Sequence, residues 1–161
     1  MSRATLGAIV LAALALGACR DGPDWRVLQL YGGQGSLDAL RSPVRVEAFR
    51  IAPESGPPEA GVPFVGVHRV VAGPVEVPPD LAAALSSALL DADTYDWRHA
   101  KGDPFRPTYG LRFAKDVSRV DLALDLESRM LTVHRHGRRI GVEDFDAAAP
   151  RIAEILRRSF P

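Results

Sequence analysis

The sequence predicts a single α+β domain, ordered ββ-α-βββ-α, in which an antiparallel sheet is covered on one face by two helices. Residues 109–113, 119–126 and 131–134 alternate between apolar and polar side chains and are separated by short polar turns. This pattern is typical of an antiparallel meander with one apolar and one polar face. Two other segments have the spacing of amphipathic helices, which are a common cover for an apolar sheet face.

The first two strands are predicted at residues 43–51 and 62–71. In the first, apolar residues alternate with Arg45 and Glu47, and the second is rich in β-branched residues. The segment between them, residues 52–61, contains several Pro and Gly residues and is predicted as a loop. The two strands are therefore expected to pair as a hairpin with a long turn.

The two helices are predicted at residues 78–91 and 146–160. Each has a proline in its first turn, where the missing N–H costs nothing. Each also carries apolar residues at helical spacing: Leu81, Ala84, Leu85, Ala88 and Leu89 in the first helix, and Ile152, Ile155, Leu156 and Phe160 in the second. These apolar stripes are expected to lie on the sheet.

The N-terminal segment has the layout of a secretory signal. Arg3 precedes an uncharged run rich in Ala and Leu over residues 6–18. As a helix this run would be roughly 20 Å long, short of the roughly 30 Å hydrocarbon core of a bilayer. The run ends in LGAC, residues 16–19, and Cys19 is the only cysteine of the chain. This motif resembles the lipobox of bacterial lipoproteins, which is Leu, two small residues and Cys.

The lipobox resemblance implies that Cys19 is a lipidation site. It implies a diacylglyceryl group on the Cys19 sulfur, cleavage before Cys19 and acylation of the new amine. Two or three acyl chains anchor a protein durably without a spanning helix. In the lipoprotein pattern an Asp after the cysteine favours retention in the inner membrane, and here that position holds Arg20. The expected location is therefore the outer membrane, lipid-anchored and facing the periplasm.

The chain is expected to divide into a lipoprotein signal peptide at residues 1–18, a lipidated Cys19 with a flexible tether over residues 19–42, and an α+β domain over residues 43–161. The glycine-rich stretch YGGQGS predicts the tether. The alternative is that the apolar residues Trp25, Leu28, Leu30 and Tyr31 of this segment dock on the domain. The chain has 20 Lys and Arg and 20 Asp and Glu residues, a balance that gives no indication of nucleic-acid binding. With Cys19 used for lipid, no thiol remains for a disulfide.

Polar side chains on the wet face of the predicted meander are candidate metal ligands. They are Asp121 and Asp125 on one strand, and Thr132, His134 and His136 on the next. Carboxylates and imidazoles on neighbouring strands have the chemistry to bind zinc or another divalent cation. The alternative is a solvated sheet face on which the charged residues pair across strands with Arg119 and Arg135.

No other segment has the signature of a catalytic or metal site. The acidic stretch DADTYD at residues 91–96 departs from a calcium loop, because positions five and six hold Tyr95 and Asp96 where a ligand and a glycine are needed. It is predicted to be a turn that ends the helix. Ser86 and Ser87 lack a G-x-S-x-G elbow. No catalytic, cofactor-binding or metal-binding residue is therefore predicted, and Cys19 is the one predicted site.

Two segments, DPFRPTYGLRF at residues 103–113 and VDLALDLES at residues 120–128, are similar to a loosely defined set of uncharacterised and often exported bacterial proteins. Those proteins carry a C-x-F-x-P segment, a strand ending in Arg-Phe, and a Val-Asp strand ending in C-x-x-C. The matching residues are Phe105, Pro107, Arg112, Phe113, Val120 and Asp121. The three cysteine positions hold Asp103, Asp125 and Ser128, so the thiol chemistry that such cysteines imply is absent.

Together these features predict a lipid-anchored envelope lipoprotein that acts as a binding or structural module. The alternative is a lipoprotein that binds a small ligand or a metal. The expected partners are the membrane, through the lipid on Cys19, and an envelope protein. A module that binds a protein should expose a contiguous apolar patch, whereas a ligand-binding protein should have a deep pocket with convergent polar groups.

Overall fold

The computed structural model describes residues 22–57, 59–98 and 101–160. The predicted signal peptide and Cys19 lie outside these residues. The described chain forms one α+β domain, which confirms the predicted fold class. Its helices are α1 (Trp25–Leu30), α2 (Gln34–Arg41), α3 (Pro79–Leu90) and α4 (Ala149–Ser159). Its strands are β1 (Arg45–Ser55), β2 (Phe64–Val65), β3 (His68–Glu76), β4 (Tyr109–Lys115), β5 (Ser118–Asp125), β6 (Met130–Arg135) and β7 (Arg138–Asp144).

The strands form one sheet in the order β2-β3-β1-β4-β5-β6-β7, and every neighbouring pair is antiparallel. The predicted meander is present as β4, β5 and β6, and β1 pairs with β3 as expected for the first hairpin. Strand β7 extends the meander beyond the predicted order. The register places Arg112 opposite Asp121, and Asp121 opposite His134. Three polar residues therefore lie side by side on one face.

The main core lies between the sheet and the helices. Side chains of β4, β5 and β6 that point to this side are fully buried: Leu111, Phe113, Val120, Leu122, Leu124, Leu131 and Val133. The predicted helices α3 and α4 contribute Leu85, Leu89, Ile152 and Leu156 to the same core. Burial of this apolar surface is the main contribution to stability.

Helices α1 and α2 correct the prediction of a flexible tether over residues 19–42. From Trp25 onward that prediction is wrong, because the segment supplies core side chains at helical spacing: Val27, Leu30, Leu37 and Leu40, all buried. The glycines of YGGQGS make the turn between the two helices, where Gly32 and Gly33 have positive φ values of 72° and 111°. Only glycine adopts such values without strain.

A pair of buried tyrosines holds the turn between α1 and α2 to the domain. The Tyr31 hydroxyl lies 2.7 Å from the Tyr95 hydroxyl, and Tyr95 in turn donates to the Leu89 carbonyl oxygen at 2.7 Å. Tyr31 therefore donates to Tyr95. Both rings are almost fully buried, and burial raises the pKa of each hydroxyl above its ordinary value. Residues 25–31 are thus part of the folded domain.

The second face of the sheet is also covered, where a wet face was predicted. Strand β2 and the start of β3 fold over it, and a second, smaller apolar cluster forms there: Phe49, Ile51, Val65 and Ala123, with Val70 and Phe105 packed against them. Gly110 on β4 lets Val65 approach, since a Cβ at position 110 would lie 3.0 Å from Val65 Cγ1. The polar residues of this face are therefore buried beside apolar ones.

None of the helices in residues 22–57, 59–98 and 101–160 has the length and apolar character needed to cross a bilayer.

Gly141→Ala tests whether α1 is docked on strand β7. A Cβ at position 141 would overlap the Leu30 carbonyl oxygen and lie 2.7 Å from Leu30 Cδ1. We expect the variant to displace α1 and to lower the free energy of unfolding by about 1–3 kcal/mol, measured by urea denaturation. Gly35→Ala is the control, because a Cβ at position 35 would meet nothing within 4 Å. This substitution should stabilise α2 slightly, since alanine favours a helix more than glycine does. Equal effects of the two substitutions would contradict the docked position of α1.

Candidate functional site

Asp121 is the centre of a polar cluster buried on the second face of the sheet. Its side chain is 3% exposed. Its Oδ1 accepts from Arg112 Nε at 2.8 Å, and its Oδ2 accepts from the backbone N–H of Gly66 at 3.0 Å and from Arg119 at 3.0 Å. The other end of the Arg112 fork donates to the Phe64 carbonyl oxygen at 2.6 Å. Arg112 thereby ties β2 to the sheet.

The two histidines of the cluster lie next to this ion pair. His134 is 1% exposed, and its Nε2 shares a hydrogen bond of 2.8 Å with Thr132 Oγ1. His134 Nδ1 has no hydrogen-bond partner among the described residues. The ring of His68 meets that of His134 edge to face, with 6.1 Å between centroids. The pKa of His134 is lowered to about 4, chiefly by burial and also by His68 and Arg139, while Asp121 acts to raise it.

This geometry does not favour a divalent-metal site on the candidate ligands Asp121, Asp125, Thr132, His134 and His136. Both carboxylate oxygens of Asp121 are already occupied by arginine and backbone donors. His136 is exposed in the turn between β6 and β7, with a positive φ of 51°. Within residues 22–57, 59–98 and 101–160, no three His, Cys, Asp or Glu side chains are grouped to hold a metal ion.

The alternative prediction of a solvated face, with charges paired across strands to Arg119 and Arg135, is wrong in exposure and in the partners that pair across strands. Asp121, Asp125, Thr132 and His134 are each at most 4% exposed, because β2 and the loop before β4 cover them. Arg119 pairs with Asp121 at 3.0 Å, but both residues lie on β5, and the partner of Asp121 across strands is Arg112 on β4. This cluster is therefore a structural element, since both oxygens of the Asp121 carboxylate are paired with donors of the domain itself.

The acidic stretch after α3 forms the capping turn that was predicted. Asp91 accepts from the backbone N–H of Asp93 at 3.0 Å and begins a short 3₁₀ turn, Ala92–Thr94. Thr94 donates its hydroxyl to the Ala88 carbonyl oxygen at 2.5 Å, which ends α3.

A cleft of about 380 Å³ lies where the loop before β4 meets the turn after β5. Its lining residues are Asp103, Pro104, Arg106, Asp125, Glu127 and Ser128. The three positions that hold cysteines in the similar exported proteins, Asp103, Asp125 and Ser128, therefore line one cleft. The resemblance to those exported proteins stays a prediction. It requires the three positions to lie near one another, and here they line the same cleft.

Asp125 holds the two walls of this cleft together. Its Oδ2 accepts from the backbone N–H of Arg106 at 2.8 Å, and its Oδ1 accepts from those of Glu127 at 3.0 Å and Ser128 at 3.2 Å. Burial acts to raise the pKa of Asp125, but these hydrogen bonds outweigh it and lower the pKa. Asp125 is therefore ionised at neutral pH and fixes the loop that carries Asp103 and Arg106.

A third feature is an apolar surface between α1 and the edge strand β7. Three of the large exposed apolar side chains belong to it: Trp25, Ile140 and Val142. They border a groove of about 360 Å³ that is also lined by two further apolar residues, Leu30 and Trp97, and by three polar ones, Arg26, Gln29 and Glu143. We call Trp25, Ile140 and Val142 the apolar surface. Large apolar side chains that are exposed beside a groove make this surface a candidate contact with another molecule or a membrane.

No protein-family model matches this chain, and neither a curated protein nor a solved structure matches it. Functional inference therefore depends on the residues and their geometry.

Sequence patterns did not indicate the apolar surface or the cover over the second sheet face. Trp25 was placed in a tether, and strand β7 carries two arginines, a glycine and two acids that hide its alternation. The sequence does contain an indication that the second face is covered: Phe49, Ile51 and Ala123 are apolar residues on the face that the alternation predicts to be solvated. Glycine at positions 66 and 110 is the other signal, because a Cβ at Gly66 would overlap the His134 ring.

The low pKa of His134 predicts a loss of stability in mild acid. In an unfolded chain a histidine titrates near 6.5, whereas folded His134 titrates near 4. Between these values the unfolded state binds a proton that the folded state does not, so the free energy of unfolding should fall as the pH drops from about 6.5 to about 4. The contribution is on the order of 3 kcal/mol, and His68, whose pKa burial also lowers, acts in the same direction.

Urea denaturation of two variants between pH 7 and pH 4 measures this contribution. His134→Gln should flatten the decline, and the exposed His136→Gln should keep it. Carboxylates titrate equally in both variants, so the difference between them isolates His134. Parallel declines in the two variants would contradict the assignment.

Proposed function

We propose that this chain is a lipid-anchored envelope protein that faces the periplasm and acts as a binding or structural module. The motif LGAC at residues 16–19 supports the anchor, since it follows a short apolar run and supplies the only cysteine. The position of Arg20 supports the outer membrane as the anchored bilayer. The proposed role is to hold a folded surface at the membrane, where it contacts a partner.

The observation that carries the binding role is the apolar surface, only six residues beyond the predicted anchor. Trp25 and the edge-strand residues Ile140 and Val142 are exposed and border one groove, which Val142, paired with Thr132, reaches from the second face of the sheet. Single exposed apolar residues are common on soluble proteins, but a group of them beside one groove is typical of a contact site. The buried cluster around Asp121 supplies a rigid scaffold for that surface.

A small-ligand site in the cleft is the second candidate function. Three charged residues are exposed at the mouth of the cleft: Asp103, Arg106 and Glu127. The cleft therefore offers both negative and positive side chains to a ligand, above the buried Asp125. The volume of about 380 Å³ is in the range of small-molecule sites. The lining is mostly polar, which suits a charged metabolite better than an apolar ligand.

Cys19→Ser tests the lipid anchor. In a bacterial host supplied with an alkyne analogue of palmitate, the parent protein should carry the label and this variant should lose it, because the thiol is the acceptor. Ala18→Ser is the matched control, since it keeps a small residue before the cysteine and should stay labelled. Label on the Cys19→Ser protein, or a parent without lipid by intact mass, would contradict the proposal.

Asp103→Asn tests the cleft as a ligand site. Ca²⁺, Mg²⁺, Zn²⁺ and free amino acids serve as probes, and a probe that binds the folded state raises the Tm. If the cleft binds one of them, the shift should shrink in Asp103→Asn and persist in Asp116→Asn, which changes an exposed Asp in the turn between β4 and β5. A probe that shifts both variants equally binds elsewhere, and no shift with any probe would leave the binding module as the sole candidate.

A further inference from the structure

We propose that the apolar surface rests on the anionic phospholipid surface of the same membrane that holds the lipid on Cys19. Trp25, Ile140 and Val142 would enter the headgroup region, and Arg138 and Arg139 would contact lipid phosphates. This inference deepens the proposed function and rests on its lipid anchor. It assigns the membrane, rather than a protein, as the partner of the apolar surface.

The length of chain before the described domain supports this partner. Six residue steps separate Cys19 from Trp25, and even when fully extended they span only about 20 Å. A domain of this size is about 35–40 Å across. A lipid-anchored Cys19 therefore keeps α1 within about 20 Å of the bilayer surface, so the side of the domain that carries Trp25 is the side that reaches the lipid.

The side chains of the apolar surface suit a membrane interface. Trp25 is 68% exposed, Val142 48% and Ile140 39%, which is unusual exposure for three large apolar residues that border one groove. Tryptophan is enriched at the headgroup level of membranes, because its ring is apolar and its N–H remains hydrated there. The neighbouring Trp97 is already committed to the domain, since its Nε1 donates to the Ala92 carbonyl oxygen at 2.8 Å.

Charge complementarity points to anionic lipid. Arg135 ends β6, and Arg138 and Arg139 begin β7, so three arginines flank the turn between these strands. The acid that follows along β7 is Glu143, which lines the groove together with Arg26. Arg138 and Arg139 are exposed, and within the described residues no salt bridge joins either of them to a carboxylate. Arg139 directly precedes Ile140, so the basic turn continues into the apolar surface. Basic residues beside an anchored chain are attracted to anionic headgroups.

Tryptophan quenching in vesicles tests this docking. The full-length protein is extracted with its lipid and reconstituted into vesicles of phosphatidylethanolamine and phosphatidylglycerol with brominated acyl chains. Trp97→Phe leaves Trp25 as the single probe. The matched probe combines Trp25→Phe, Trp97→Phe and Val117→Trp, which moves the tryptophan to a site that is 96% exposed in the turn between β4 and β5.

We expect the brominated lipid to quench Trp25 at least about twofold more than the probe at position 117, because only Trp25 reaches the headgroup region. Arg138→Glu should reduce the quenching of Trp25, and Arg158→Glu, an equal charge change on α4, should not. Replacing phosphatidylglycerol by phosphatidylcholine should reduce it as well.

Two results would overturn the docking, and they differ in what they say about the anchor. Equal quenching at positions 25 and 117 in a protein whose intact mass includes the lipid would overturn the docking and leave the anchor in place. A photoreactive residue at position 142 that then cross-links to a protein in cells would assign the apolar surface to that protein. An intact mass without lipid would overturn the anchor and the docking together.

Discussion

The buried ion pair between Asp121 and Arg112 is the interaction on which the second face of the sheet depends. Moving a carboxylate out of water costs several kcal/mol unless its oxygens are fully paired, and here Arg112, Arg119 and the Gly66 amide supply the donors. Because Arg112 also donates to the Phe64 carbonyl oxygen, the same pair fixes β2 over β4 and β5. The burial of His134 and of Ala123 follows from that cover.

The start of β3, which helps to cover the second face of the sheet, also holds one wall of the cleft. The ring of Phe105 packs edge to face on His68, with 6.3 Å between centroids, at the start of β3. Phe105 lies between Asp103 and Arg106, and the Arg106 amide donates to Asp125. The loop that forms one wall of the cleft is therefore held at both the apolar cluster and Asp125. A rigid wall of this kind is what a binding site needs, since little ordering cost remains when a ligand enters.

The fold was predictable where local patterns decide it and unpredictable where distant contacts do. Strands β4 and β5 alternate cleanly, and α3 and α4 have long apolar stripes, so sequence periodicity sufficed for them. Helix α2 has eight residues and begins in a glycine turn. Its neighbour Tyr31 is satisfied only by Tyr95, which is 64 residues away, and no periodicity encodes that contact. The candidate sites are assembled in the same way, since the cleft joins residues 103–106 to 125–128 and the apolar surface joins α1 to β7.

Strand β7 shows why the proposed anchor and the fold belong together. An edge strand with exposed apolar side chains is an aggregation hazard, and proteins usually protect it with charges or cover it. Here α1 covers part of β7 through the close contact of Leu30 with Gly141, but Ile140 and Val142 remain exposed. The arginines at positions 138 and 139 oppose pairing with another such edge, because like charges would meet. In the proposed docking, the lipid surface covers the apolar residues that α1 leaves open and pairs those arginines with phosphate. One surface then meets two physical requirements, protection of an edge strand and orientation of the domain on its membrane.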